Sequence, residues 1–130
     1  MDVSINWFAV LIAALSNFSI GAFWYSTLFA KSWQREAGVT AEQLQTGAFR
    51  IFGAAFALAL VMAASLAAFI GDGGFGFGVF AGITTGTTFV AAAFGVNYLF
   101  ERRSLTLFYI NGSYSLVSFT VMGTIIGLVQ

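Results

Sequence analysis

Four apolar stretches, about 5–29, 49–70, 77–100 and 105–129, take up most of this chain, and within them only Arg50 is charged. Each exceeds the roughly 20 residues that a helix needs to cross the hydrocarbon of a bilayer. Backbone groups in hydrocarbon must bond within their own segment, so helices are expected despite the β-branched and aromatic content. A barrel would need many strands of about ten alternating residues, and the alternation is missing. Composition closes off a soluble fold: 8% of the 130 residues are charged and 59% hydrophobic, against roughly 25% charged in ordinary soluble domains. The expected architecture is all-α: an integral membrane four-helix bundle in one domain, 1–130, made of two antiparallel hairpins.

The absences narrow the chemistry. There is no histidine and no cysteine, which removes disulfides, thiol nucleophiles, zinc sites and histidine-ligated haem together. No metal or other cofactor is expected. Net charge is zero, with no long basic run, so nucleic acid is not a partner. Proline is absent, and any helix break must come from glycine or polar insertion. Only Asp2 and the terminal amine precede the first apolar run. That is not the positive n-region of a secretory signal, so the run is expected to stay in the mature protein.

The basic residues set an orientation. Lys31, Arg35 and Arg50 lie between or beside spans one and two, and Arg102 and Arg103 between spans three and four. The positive-inside rule places both groups in the cytoplasm, with the two termini outside. Trp7 at the outer end, and Trp24, Tyr25, Trp33 and Tyr98 at the inner ends, fit aromatic belts. In the cytoplasmic loop, about 30–48, Thr40-Ala-Glu-Gln43 has the form of a capping box. Gly38 suits a helix end. One short interfacial helix is expected there, feeding span two.

Gly71-x-Gly73-x-x-Gly76 has the spacing of a dinucleotide-binding loop. Such a loop needs a soluble βαβ unit and an acid about 20 residues further on, and both are missing. The glycines read better as Gly74, Gly78, Gly82 and Gly86, a fourfold series that makes a small-residue ridge on a helix. The ridge serves either packing within the chain or self-association.

Polar residues also fall on faces. Thr84 and Thr88, continuing through Ala91, Gly95 and Tyr98, share one face of span three; Asn111, Ser115 and Ser118 mark span four; Ala9, Ala13, Asn17 and Gly21 line span one. Interhelical hydrogen bonding is one reading. The other is a polar path for a solute, lined by Thr84, Thr88, Asn111, Ser115 and Ser118. Nothing ionisable other than tyrosine lies deep in a span, which disfavours proton-coupled transport. The small multidrug-resistance exporters, of comparable length, depend on a span-one carboxylate, and none follows Asp2 here.

The densest polar chemistry lies at the cytoplasmic rim, in Phe23–Trp33 and Asn97–Tyr114. A candidate functional rim comprises Trp24, Tyr25, Lys31, Trp33, Arg50, Asn97, Glu101, Asn111 and Tyr114. Glu101 is expected either to pair, partly dehydrated, with Arg50, Lys31 or its arginine neighbours, or to stand in solvent. A faint echo links Tyr25…Leu28-Phe29-x-Lys31-Ser32 with Tyr98-Leu99-Phe100-x-Arg102-Arg103-Ser104. It reflects either a parallel repeat or the recurrence of aromatics and cations at inner interfaces.

These two stretches carry a resemblance. Gly21, Trp24, Tyr25, Leu28, Phe29, Lys31 and Trp33, followed by Asn97–Glu101, Asn111 and Tyr114, resemble the hallmarks of the domain-of-unknown-function 1761 family of small bacterial membrane proteins. Thr27 stands where that family's stretch would carry proline, which removes the proline-based reason for a break in span one. The resemblance implies a bacterial inner-membrane protein and brings no reaction, ligand or catalytic residue. The expected function is a non-enzymatic helix-packing module, a homo-oligomer or accessory subunit whose partners are the bilayer and other membrane chains. The alternative is a passive channel or facilitator for a small neutral solute. An enzyme is the weakest reading, since no nucleophile–base pair can be assembled without His, Cys or a buried acid.

Overall fold

A computed structural model describes residues 5–130. Asp2 and the amino terminus, on which the signal-peptide argument rests, lie outside the described residues. The chain is all-helical, with no strand among the described residues. Among the described residues, four helical stretches are long and apolar enough to cross a membrane: Trp7–Leu28, Ala48–Ile70, Gly74–Glu101 and Leu105–Val129. In order, the elements are α1 (Trp7–Phe23) with a π-helical turn at Trp24–Leu28, α2 (Ala30–Ala37), α3 (Ala41–Gln45) and α4 (Ala48–Ile70). There follow α5 (Gly74–Thr84), a π-helical segment at Thr85–Ala91, α6 (Ala92–Glu101) and α7 (Leu105–Val129).

The caps explain most boundaries. Asn6 accepts from the amides of Phe8 and Ala9 and starts α1. Ser104 accepts from the Leu107 amide and starts α7. The Thr40–Gln43 capping box forms with both of its hydrogen bonds. The loop holds two short helices where one was expected, because the residues ahead of Gly38 are themselves helical. Gly38, at φ +73°, ends α2 in the left-handed conformation that only glycine adopts freely. Span three begins at Gly74 (φ +84°), earlier than expected, since a tight glycine turn reverses the chain immediately after α4.

Packing centres on α7, which meets α1, α4, α5, the Thr85–Ala91 segment and α6. Ala9 and Ala13 of α1, Ala59, Ala63 and Ala67 of α4, and Met122 and Ile126 of α7 are fully buried in one cluster. Small side chains bring the backbones close, as lipid-embedded helices require. On the other flank, a Cβ at Gly78 would collide with the Gly123 carbonyl and one at Gly82 with that of Phe119; at Gly86 it would lie 2.6 Å from the Ser115 carbonyl. Gly123 meets the Gly78 carbonyl in return. Gly74 is the exception in the ridge, because a Cβ there would meet nothing within 4 Å. Its carbonyl, however, receives Gly127.

At one end the Gln130 side chain ties three spans together. Its Oε1 accepts from the Asn6 amide at 2.9 Å. Its Nε2 donates to the carbonyls of Ala67 (2.8 Å) and Gly71 (2.6 Å). Outward, large apolar side chains stand open: Phe49 is 93% exposed, Phe100 85%, Leu99 80% and Phe69 78%. That much apolar surface is untenable in water and ordinary in lipid.

Candidate functional site

The end of span one shapes the site. From Trp24 to Leu28 the helix widens, and the Phe29 amide donates five residues back to the Trp24 carbonyl at 2.9 Å. Single π-turns are rare in helices and gather at functional sites. On a regular helix consecutive side chains point about 100° apart, whereas here Trp24 and Tyr25 both reach α7. Trp24 Nε1 donates to the Ile110 carbonyl at 3.0 Å, and the Tyr25 hydroxyl donates to Asn111 Oδ1 at 2.5 Å.

Asn111 is the hub. Its Nδ2 donates to the Tyr98 hydroxyl at 2.6 Å, so one buried amide joins spans one, three and four. One turn further along α7, the Tyr114 hydroxyl donates to the Asn17 carbonyl at 3.0 Å. Asn17 Nδ2 donates to the hydroxyl of fully buried Ser118. Ser115 donates to the Asn111 carbonyl at 2.9 Å. The polar groups thus form a string along the α1–α7 seam. Among the described residues, no buried side-chain nitrogen or oxygen lacks a partner.

Aromatic rings wall the hub. Tyr25 sits edge-on to Tyr114 and to Trp33, with ring centres 5.2 and 5.4 Å apart, and Trp24 lies 6.3 Å from Tyr114. These are favourable quadrupolar geometries. Gly21 makes room for the arrangement, since a Cβ there would lie 3.1 Å from the Tyr114 hydroxyl. Trp33 arrives on α2, whose Glu36 faces the start of α7. The Ser104 hydroxyl, and then the neighbouring Arg35 at 3.0 Å, hold the Glu36 carboxyl below the usual carboxylate range.

The structure brings together Trp24, Tyr25, Trp33, Asn111 and Tyr114 and leaves the other expected rim residues outside. Lys31, Arg50 and Asn97 are exposed. Glu101 is also exposed, and its ion pair is with Arg103 at 3.3 Å, not with Lys31 or Arg50. The reason is the turn: Arg102 takes a left-handed φ of 59°, and the Arg103 amide closes on the Tyr98 carbonyl at 2.9 Å, which carries the charges outward. The expected polar path is not one surface either. Asn111, Ser115 and Ser118 share the seam, but Thr88 is exposed and its hydroxyl donates back to the Thr84 carbonyl at 2.6 Å. The spacing that put Thr84 and Thr88 with Tyr98 assumed regular turns, and the π-helical segment Thr85–Ala91 breaks that register.

Sequence reasoning missed Tyr98 as a partner of Asn111, although the echo had paired Tyr98 with Tyr25, the other tyrosine on that amide. It also missed Asn17 as the partner of Ser118, for which the fourfold series on span one was the available signal. Nothing in the local pattern pointed to Gln130. The network contains only neutral donors and acceptors, and among the described residues no cluster of His, Cys, Asp or Glu could hold a metal.

The family described as "Protein of unknown function (DUF1761)" matches residues 8–127. The chain belongs to the DUF1761 family. The DUF1761 match takes in the whole network, from Asn17 to Ser118. No curated protein and no solved structure matches the chain.

Proposed function

We propose that this DUF1761 protein is a non-enzymatic packing module of the bacterial inner membrane. In this reading it is a four-helix bundle with both termini outside, and it acts by holding a second copy or a partner subunit. The observation that carries it is the state of the buried polar groups: Asn17, Tyr25, Tyr98, Asn111 and Ser118 are already engaged with one another in bonds that lock α7 to span one and to α6. The glycine ridge is likewise engaged inside the chain, against α7. Association then falls to the outward face of α4, where Phe49, Phe52, Gly53, Ala57 and Val61 are exposed. Gly53 has open space where a Cβ would stand, which lets a second helix approach closely.

The native chain has no cysteine, so a cysteine introduced at Ala57 is a clean probe. Oxidative crosslinking in native membranes is expected to give a discrete dimer or a single hetero-adduct. Gly53→Leu should abolish that product while leaving the melting of the protomer unchanged. A ladder of random products, or none, would remove the association reading. The rival, a facilitator for a small neutral solute, draws on the string from Tyr25 to Ser118; swelling of proteoliposomes above protein-free controls would favour it.

A further inference from the structure

A groove of about 280 Å³ runs beside the turn between α6 and α7. Its lining is mostly apolar, from Gly95, Leu99, Leu105 and Phe108, and is bordered by Tyr98, Arg103 and Ser104, the last engaged with the Glu36 carboxyl. Leu99 and Leu105 are exposed, so the groove opens sideways, toward acyl chains. At its mouth Arg103 engages Glu101 through Nε alone, and a guanidinium has more N–H donors than that contact uses. The Tyr98 hydroxyl accepts from Asn111, and its own proton is left to donate. Arg102 adds a second exposed cation on the same turn.

An apolar trough bordered by an arginine and a tyrosine is complementary to an amphiphile with an acceptor-rich, negatively charged head. The wider surroundings agree. This end of the chain carries all five cations, four in or beside the loops and Arg50 in the first turn of α4, against three of its acids, and basic pockets of this kind on the cytoplasmic side of a membrane take anionic head groups. We infer that the α6–α7 groove binds an anionic phospholipid of the cytoplasmic leaflet, phosphate on Arg103 and acyl chain against Leu99 and Phe108. The leaflet assignment rests on the orientation proposed above, whereas the site itself does not. Through Tyr98 the lipid would also touch the Asn111 hub.

The test uses the full chain in a neutral detergent, titrated with phosphatidylglycerol or phosphatidylcholine and followed by thermal unfolding. Phosphatidylglycerol is expected to raise the midpoint, and phosphatidylcholine at equal concentration to leave it in place. Arg103→Gln should weaken the phosphatidylglycerol effect about fivefold, the worth of one cation near a membrane surface. Arg50→Gln, exposed at the same end and outside the groove, should retain it. Leu99→Trp fills the trough from an exposed position and should remove the lipid response without lowering the lipid-free midpoint. Equal responses to the two lipids, equal losses in the two arginine variants, or an equal shift from inorganic phosphate would each overturn the proposal. Because detergent has no sides, failure here is distinct from failure of the orientation, which labelling in cells reports.

Discussion

Asn111 lies in the seam with its side-chain Oδ1 accepting from Tyr25 and its Nδ2 donating to Tyr98. Interhelical hydrogen bonds in membranes contribute about 0.6 kcal/mol each on average. Asn111→Leu forfeits two of them and strands two phenols, so a loss of about 1–2 kcal/mol is expected by thermal unfolding in detergent. Glu101→Gln, which removes an exposed ion pair, should cost about 0–1 kcal/mol. A neutral Asn111→Leu would mean that the hub is kept for binding and not for stability. The contrast also marks what can be read from residue types. Trp24, Tyr25, Trp33, Asn111 and Tyr114 stood out because aromatic and amide groups in an apolar chain need partners, and they found one another. Glu101 and Asn97 were grouped with them by nearness in sequence. Their exclusion depends on the left-handed Arg102 and on which side of α6 faces α7, and residue identity reveals neither.

The helices depart from regularity at two places, Trp24–Leu28 and Thr85–Ala91, and those places decide which expectations hold. Apolar length marked four helices long enough to span, since bilayer thickness sets that length, although the third begins at Gly74 and not at Phe77. Face assignments held where turns are regular, as for Ala9, Ala13 and Asn17, which are buried together. They failed for Thr88, beyond the start of a widened segment, because bonding five residues back changes the angular step. Proline is the usual sequence signal for a break, and this chain breaks without one. The glycine ridge tests the α5–α7 contact directly. Gly82→Leu would drive a side chain into the Phe119 backbone and should cost about 3 kcal/mol or more, at the upper end for overpacking. Leu at Ile83, which is 44% exposed, should stay within about 0.5 kcal/mol. Equal melting of the two variants in detergent would dismiss the ridge as a packing face.

For the molecule as a whole, the bonds to Gln130 gather the start of α1 and the ends of α4 and α7 at one pole, while Tyr25, Tyr98 and Asn111 meet at the other. The cations flank the second pole in sequence, which is why we propose that it faces the cytoplasm. Cysteines at Gln43 and at Asp72, both exposed, report on this. An impermeant thiol reagent applied to spheroplasts is expected to label Asp72→Cys and spare Gln43→Cys, and the reverse pattern would invert the assignment. Gln130 is a poor reporter because its side chain is engaged. The order of the spans in the chain carries a consequence for biosynthesis. Helices α1 and α4 can pair as soon as both have left the translocon, but α5 and α6 have their principal partner in α7. Until α7 is released, span three must wait in lipid with Gly78, Gly82 and Gly86 uncovered. A ribosome stalled before residue 105 would therefore leave a half-assembled chain with a bare glycine face, the kind of surface on which a membrane chaperone or an intramembrane quality-control protease would act.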